Sequence, residues 1–397
     1  MLNPPFSSQA TPFWRDERVR QVFAQIVTVL IFLLMAGWLV SNMLQALERL
    51  GLMPSLSFMD LTSQFDIGQP KGMHGRDDPY WNAFRTGLYN TARVSLFGIV
   101  LATIWGTALG IAGLSSNLLV ARISRYYIDL LRGIPLLILM IFVHKGIFIK
   151  FPGINDAIML GDSTFITNRG IYFVGGTPTE STDDYLRILL IAVLAAALLA
   201  ALLVRRGKQT GRLPMTTLWT LVVFFAISAV GWLLLSNQSN PPWLPDLPYV
   251  KGLNIKGGIR LTPEFSAVLF SLVIYTASFV AETVRAGIMS VSKGQREAAR
   301  SLGLSGLDTL RLVIMPQAMR VIVPPLTSIW LSLTKNSSLA LAVGYPDLVA
   351  VAGTIQMQSG RAVEVWTGLV MVTYVSLSLL TSLFGNWYNR KMAIVER

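Results

Sequence analysis

Cysteine is absent from the 397-residue chain, and histidine occurs only at His74 and His144. The chain therefore has no disulfide framework, no thiolate nucleophile and no cysteine-based metal site. Two histidines far apart in the sequence also argue against a histidine-based metal or catalytic cluster. Charged residues make up only 14% of the chain, whereas an ordinary soluble domain has about 25%. With 53% hydrophobic residues, the composition indicates a membrane protein.

Long apolar runs define the expected fold. A helix needs about 20 largely apolar residues to cross about 30 Å of hydrocarbon. Eight runs meet this requirement, although the third is short and extends only weakly beyond 143, to 149. They are 22–43, 91–114, 133–149, 188–204, 213–235, 265–283, 321–342 and 365–387. We therefore predict an all-α polytopic membrane bundle of about eight transmembrane helices, the first retained rather than cleaved as a signal peptide.

The distribution of basic residues among the loops predicts the topology of the chain in the membrane. If the N-terminus is cytoplasmic, the cytoplasmic segments carry 19 Lys and Arg, and the longer opposite loops carry 12. Basic residues are enriched in cytoplasmic loops of membrane proteins. The formal charge of +12 is thus explained without a nucleic-acid partner. The sequence predicts that both termini and the basic loop 205–212 are cytoplasmic.

Loop composition suggests four parts. Residues 1–87 form a lead, a peripheral helix and an outer loop, and 88–145 begin a compact core. Residues 146–262 are an insertion of two plain spans between two Gly- and Pro-rich outer loops, which we expect to be irregular. Residues 263–397 complete the core.

The segment 292–316, between the sixth and seventh spans, has the pattern of two short helices and a hinge. Ser292 and Gln295 have the spacing of a capping box, Gly303 suits the left-handed residue that ends a helix, and Ser305 suits the cap of the next.

The first of these helices carries Glu297, Ala298 and Ala299, which we expect to be exposed. Such a small, charged helix suits a groove on another protein. The alternative, an amphipathic helix on the membrane surface, is less favoured because a face of alanines is too shallow to anchor in lipid.

The same segment resembles a known motif. Glu297-Ala-Ala, three residues, Gly303, nine residues and Val313-x-Met315-Pro316 are similar to the EAA loop of ABC importer permeases. Further matches to the polar amino-acid permeases are Arg-Gly-Ile-Pro-Leu at 132–136, Ala-Glu-Thr-Val-Arg-Ala-Gly at 281–287 and Lys-Asn-Ser-Ser-Leu at 335–339. The resemblance covers 88–145 and 262–390, and the overall layout resembles the general L-amino-acid permeases of bacteria.

The resemblance implies a function and a set of partners. It implies a type I importer permease with a five-helix core, located in the bacterial inner membrane and carrying polar L-amino acids. The implied ATPase-coupling residues are Glu297, Ala298, Ala299, Gly303 and Pro316. The implied partners are an ATPase dimer, a second and non-identical permease, and a periplasmic binding protein. No Walker-type motif occurs in the chain, so ATP and Mg would be bound by the separate ATPase; no cofactor is expected in this chain.

Ionisable residues inside spans are candidates for substrate binding. Glu282, with Tyr275 and Ser278 on nearby turns, is expected either to meet the substrate ammonium or to pair with Arg285. Lys335 is expected either to attract the substrate carboxylate or to hold a broken helix at 336–338. The sequence leaves both pairs of alternatives open.

Two other functions remain open at this stage. One is a membrane-embedded enzyme acting on lipid-linked substrates with Glu282 as acid or base, which would need a second catalytic group. The other is an ion-coupled secondary carrier, which would transport without an ATPase.

The charge distribution yields a first testable prediction. A topology reporter fused at Lys208 is expected to report a cytoplasmic position, because four basic residues lie between two apolar runs there. Paired cytoplasmic and periplasmic reporters provide the measurement. A periplasmic signal at 208 would invert the proposed orientation.

Overall fold

The computed structural model describes residues 17–49, 55–69, 72–161, 163–210, 215–236 and 241–392. The predictions for 1–16, Arg212 and the tail 393–397 lie outside these residues, as does the expected cytoplasmic position of the two termini.

Helices dominate the described residues, and seven of them are long and apolar enough to cross a membrane, or eight if one bent pair counts as a span. The all-α polytopic prediction is therefore confirmed. The α-helices are α1 (Glu17–Arg49), α2 (Tyr80–Ala112), α3 (Leu118–Gly133), α4 (Leu136–Phe142), α5 (Thr182–Thr210), α6 (Thr216–Ser236), α7 (Pro263–Met289), α8 (Lys293–Ser301), α9 (Gly306–Asp308), α10 (Met315–Asn336), α11 (Leu348–Ser359) and α12 (Val372–Met392). π-Helical turns occupy Val143–Ile147, Thr309–Ile314 and Glu364–Met371, and 3-10 turns include Phe148–Lys150 and Ser337–Val343.

The third span differs from its prediction. Residues 115–132, expected to connect two spans, are mostly helix α3, whose first amides at Leu119 and Val120 donate to the side chain of Asn117. Helix α3 and the helix from Leu136 to Lys150 meet at 101°. The break falls at Ile134, which is extended at φ −97° and ψ 127°, because a following proline disfavours the helical conformation.

The chain divides into two compact units, Met1–Arg85 with Val351–Val375, and Thr86–Ala350 with Ser376–Arg397. In the first unit, the buried His74 lies 3.0 Å from the Ser63 hydroxyl through its Nε2 atom, and its ring centre is 5.2 Å from that of Phe65. Burial lowers the pKa of His74, so the neutral imidazole is favoured. In the same unit Arg361 pairs with Glu364 at 3.1 Å.

In the second unit, α7 is the most buried span, with 56% of its apolar window buried. Gly106 and Gly110 of α2 face Val280 and Val284 of α7, and a Cβ at either glycine would meet the α7 backbone. Small residues four apart allow helix backbones to approach closely in membranes. Helix α7 also packs on α3, α4 and α10.

The two loops that we expected to be irregular contain regular structure, so this part of the prediction is wrong. They form short antiparallel strands: β1 (Ile158–Met159), β2 (Phe165–Thr167), β3 (Gly170–Phe173), β4 (Gly175–Pro178), β5 (Trp243–Asp246), β6 (Tyr249–Lys251), β7 (Asn254–Lys256) and β8 (Ile259–Leu261). The first sheet has the order β1-β2-β3-β8, while β4 pairs with β5 and β6 with β7. Gly170, one of the glycines that suggested an irregular loop, is a hairpin residue at φ +135°, and Gly252 occupies the turn of a second hairpin at φ +61°.

Aromatic residues join the inserted helices to this β-structure. Helices α5 and α6 pack against each other, and the ring of Tyr185 lies 5.5 Å from Trp232 and 5.8 Å from Trp243. The Thr182 hydroxyl donates to the Pro242 carbonyl at 2.5 Å. The insertion therefore forms one packed substructure.

Hydrogen bonds, together called the polar latch here, join α2 to the residues that precede and begin α11. The side chain of Asn90 donates to the Pro346 carbonyl at 2.8 Å, and the Leu348 amide donates to the Thr91 hydroxyl at 2.9 Å. The Tyr345 hydroxyl donates back to the Asn90 carbonyl at 3.2 Å. Asp347, fully buried, accepts from the Ala350 amide at 2.9 Å and thus caps α11. Burial raises the pKa of Asp347 to about 7.

This latch generates a pH prediction. The pKa of Asp347 is about 7 in the folded protein and 3.8 in the unfolded chain. The stability that this group contributes is therefore fully present below the unfolded-state pKa and is lost as the pH rises toward 7. Asp347→Asn keeps the capping oxygen and removes the titration. Between about pH 5 and about pH 8, the variant is expected to gain roughly 2 to 3 kcal/mol over the parent protein. Thermal unfolding of both proteins across this range is the measurement, and parallel pH profiles would contradict the prediction.

Candidate functional site

A pocket of about 360 Å³ lies between α7 and α10. Somewhat more than one turn of α7 and more than two turns of α10 supply its walls. The lining residues are Tyr275, Thr276, Phe279, Ser328, Ile329, Ser332, Leu333 and Asn336.

The pocket lies between two apolar clusters that the same helices share. One, the Phe265 cluster, includes Leu272 of α7 and Leu333 of α10. The other, the Ile288 cluster, includes Val280 of α7 and Leu326 of α10. On α7 the pocket residues fall between these positions, whereas on α10 Leu333 belongs to both the pocket and the Phe265 cluster, and Asn336 lies one turn beyond it.

The pocket is polar but uncharged. Ser328, Ser332 and Asn336 recur every fourth residue along α10 and so share one face of that helix. The opposite wall is aromatic, with the rings of Tyr275 and Phe279 5.0 Å apart. Hydroxyl and amide groups facing aromatic rings suit a small polar ligand with some apolar surface.

The structure brings only one of the four predicted substrate residues into this pocket. Tyr275 lines it. Ser278 is fully buried, and its hydroxyl donates to the Tyr275 carbonyl of its own helix at 2.6 Å. Glu282 is paired with Arg285 at 2.6 Å. Lys335 is exposed in the last turn of α10, just before the helix changes to 3-10 geometry at Ser337.

Charged residues of α3 and α7 form a chain at the edge of the pocket. The guanidinium of Arg132 lies 5.3 Å from the centre of the Phe279 ring, and it also interacts electrostatically with Glu282. Asp129 interacts in the same way with Arg285. Charges of alternating sign therefore link the end of α3 to the pocket-lining helix.

The predicted hinge of the segment 292–316 is present, but one of its caps is not. Gly303 has φ +76°, and the Leu304 amide donates to the Ala299 carbonyl at 3.2 Å. The Ser305 hydroxyl accepts from the Asp308 amide at 3.2 Å, as predicted. The capping-box prediction is wrong, because the side chain of Ser292 makes no cap hydrogen bond.

Helix α8 is held against the core on one face only. Arg296 donates to the Ile288 carbonyl at 2.7 Å, which joins α8 to the end of α7. Ala299 is buried, contrary to the expectation of an exposed alanine pair, because α8 packs on the turn Thr309–Ile314. Glu297 and Ala298 are exposed, and so is Pro316 at the start of α10.

The sequence interpretation missed two features of this region. Leu302, Leu307 and Leu312 are 81%, 74% and 61% exposed around the hinge. Exposed leucines at such density mark a surface that contacts protein or membrane. In the pocket, the Ser328, Ser332 and Asn336 stripe was overlooked, although its four-residue spacing within an apolar span was a visible signal.

A multi-span bundle with a pocket between two of its helices, and a hinged segment that joins those helices, is compatible with a transport permease. Residues 97–394 match the family of binding-protein-dependent transport system inner membrane components. The chain belongs to this family.

Full-length relatives are amino-acid permeases. The chain is 40% identical to the general L-amino acid transport system permease protein AapQ of Rhizobium johnstonii, over 96% of this chain and 94% of that protein. It is 40% identical to the putative amino-acid ABC transporter permease protein YhdX of Escherichia coli, over 96% and 95%. It is 37% identical to the glutamate/glutamine/aspartate/asparagine transport system permease protein BztB of Rhodobacter capsulatus, over 96% of each chain.

The hinge yields a third prediction. Gly303→Pro is expected to abolish transport while the protein stays in the membrane, because proline cannot adopt φ +76° and loses the amide that donates to the Arg300 carbonyl at 2.9 Å. Glu297→Lys is expected to act similarly by reversing an exposed charge on α8. Uptake per unit of membrane-inserted protein is the measurement.

Gly306→Ala is the matched control for this pair. It adds a methyl group to the same segment in open space and at a residue without positive φ. Full uptake by Gly303→Pro and Glu297→Lys would remove the coupling role from this segment.

Proposed function

We propose that this chain is the permease subunit of an ATP-driven importer that translocates polar L-amino acids across the bacterial inner membrane. In this proposal a periplasmic binding protein delivers the amino acid, and a separate ATPase dimer binds ATP and Mg. A second, non-identical permease chain completes the translocation path, and both termini of this chain are cytoplasmic.

One observation carries this proposal: the hinged segment joins the two helices that form the pocket. Helix α7 ends at Met289, the hinge follows, and α10 begins at Met315. A force applied to the exposed face of α8 therefore reaches both pocket walls, through the Arg296 bond to α7 and through the continuous chain into α10. ATP-driven movement at this segment would open and close the pocket.

The relatives and the pocket support this substrate class. The name of BztB includes glutamate, glutamine, aspartate and asparagine, and AapQ is named as a general L-amino acid permease. The side chains of these amino acids differ in charge. Hydroxyl and amide groups of the pocket can form hydrogen bonds with all of them, because each such group can both donate and accept. The uncharged stripe on α10 is compatible with such a range.

Charged residues at the pocket edge supply two hypotheses for the zwitterionic end of the substrate. Glu282 would bind the ammonium after its pair with Arg285 opens, with Arg132 placed for the carboxylate beside Phe279. Alternatively, Glu282 serves to neutralise Arg285, which the 2.6 Å pair favours. Lys335 would then attract the carboxylate from the end of α10, or stabilise the change from α to 3-10 geometry there.

Removing the pocket amide tests the proposal. Asn336→Leu keeps the size of the side chain and is expected to raise half-saturation on the order of tenfold, because a hydrogen bond to a charged ligand is worth about 1.5 to 3 kcal/mol and about 1.4 kcal/mol corresponds to a factor of ten. The measurement is a concentration series of amino-acid uptake into vesicles that hold the complete complex, with binding protein and ATP. Thr283→Val, which removes a hydroxyl bonded only within α7, is the control.

Glu282→Gln in the same assay separates the two hypotheses for Glu282. Raised half-saturation with unchanged stability supports ammonium binding. Lost stability that Glu282→Gln with Arg285→Gln restores supports neutralisation. Uptake without the ATPase would favour an ion-coupled carrier, and product formation by the purified chain alone would favour the enzyme hypothesis.

A further inference from the structure

The hairpin of β6 and β7, here called the β6–β7 ribbon, has two different faces. Its register pairs Tyr249 with Lys256, Val250 with Ile255, and Lys251 with Asn254. Paired residues in antiparallel strands point to the same side. Ile255 is buried in a small apolar cluster with Phe165 and Tyr172, so Tyr249, Lys251, Asn254 and Lys256 belong to the outward face.

This outward face and its turn expose large apolar side chains. Tyr249 is 53% exposed, and Leu253, at the turn after Gly252, is 72% exposed. Val250 belongs to the other face, where it pairs with Ile255, but it is still 49% exposed. A ribbon this small that presents a tyrosine, a valine and a leucine has an apolar surface in need of a partner.

Unpaired cations surround the apolar side chains. Lys251 and Lys256 are exposed on the outward face, and Arg169 braces the turn by donating to the Leu253 carbonyl at 3.0 Å and to the Asn254 side chain at 2.7 Å. Arg260 donates to the Arg169 carbonyl. Within the described ranges, none of these four cations lies within 4 Å of a carboxylate.

The β-structure is continuous with the membrane spans. Strand β8 ends at Leu261, and α7 begins two residues later at Pro263. Strand β4 ends at Pro178, and α5 begins at Thr182. The Tyr185, Trp232 and Trp243 cluster joins the start of α5 and the end of α6 to β5. Tyrosine and tryptophan concentrate at the level of lipid headgroups, so the ribbon emerges from a platform at that level.

We propose that the β6–β7 ribbon binds the anionic headgroups of membrane lipids. Tyr249 and Leu253 enter the interface, while Lys251 and Lys256 bind lipid phosphate. An apolar tip flanked by basic residues is the composition of interfacial anchors, and long lysine side chains reach charged groups while their stems contact apolar surface. Continuity with the spans favours lipid over a soluble protein as the occupant.

The absence of cysteine allows a direct test. Leu253→Cys in the full-length chain, assembled in its complex, accepts a single environment-sensitive fluorophore. Vesicles of phosphatidylcholine, with or without phosphatidylglycerol and containing a headgroup-level spin-labelled lipid, serve as the probe. We expect blue-shifted emission and strong quenching with phosphatidylglycerol. Lys251→Gln with Lys256→Gln is expected to weaken this association on the order of tenfold, given the contribution of each basic residue near an anionic surface.

Two controls match these variants. Lys150→Gln removes an exposed lysine outside the ribbon, and Asn155→Cys carries the fluorophore at an exposed residue outside the ribbon; neither is expected to respond to phosphatidylglycerol. A fluorophore at 253 that stays in water, or quenching indifferent to phosphatidylglycerol and to both lysines, would overturn the proposal. Shielding that appears only when the binding protein or the second permease is added would also overturn it, in favour of a protein partner.

Discussion

Close contact between α7 and its neighbours is the constraint on which the rest of this unit depends. Gly106 and Gly110 leave room for Val280 and Val284, and Gly287 leaves room for Ile322 of α10. Helices in hydrocarbon gain little hydrophobic driving force from association, so van der Waals contact between closely packed backbones has to hold them together. A helix packed in this way moves only with its neighbours, which gives the α7–α10 pocket defined walls.

Apolar run length predicted the spans well, because the cost of burying polar backbone in lipid leaves few alternatives to a long helix. It failed where structure depends on contacts between distant residues. Residues of β3 pair with β8 about ninety positions later, and no local pattern reveals such pairing. Helix α3 was missed for another reason: its charged residues interrupt the apolar run, while Ala121, Ser124, Ile128 and Leu131 form a buried face that only helical periodicity reveals.

The site was predicted in part. The hinge followed from residue types whose backbone requirements are local, as with Gly303 and Ser305. Within the spans, Glu282 and Lys335 were predicted because they are ionisable, but the wall of the pocket on α10 is neutral. Glu282 already forms an ion pair with Arg285, one turn away on the same helix. A hydropathy profile does not show whether a charged residue is paired in this way.

A neutral pocket beside a chain of paired charges suits a protein that must release what it binds. A fixed charge inside the pocket would carry a large desolvation cost and, once paired with a substrate of opposite charge, would separate slowly. A hydrogen bond from a neutral side chain to a charged ligand contributes about 1.5 to 3 kcal/mol, and it does not require a second buried charge. The stripe of Ser328, Ser332 and Asn336 can therefore hold a ligand at several points without a buried ion pair.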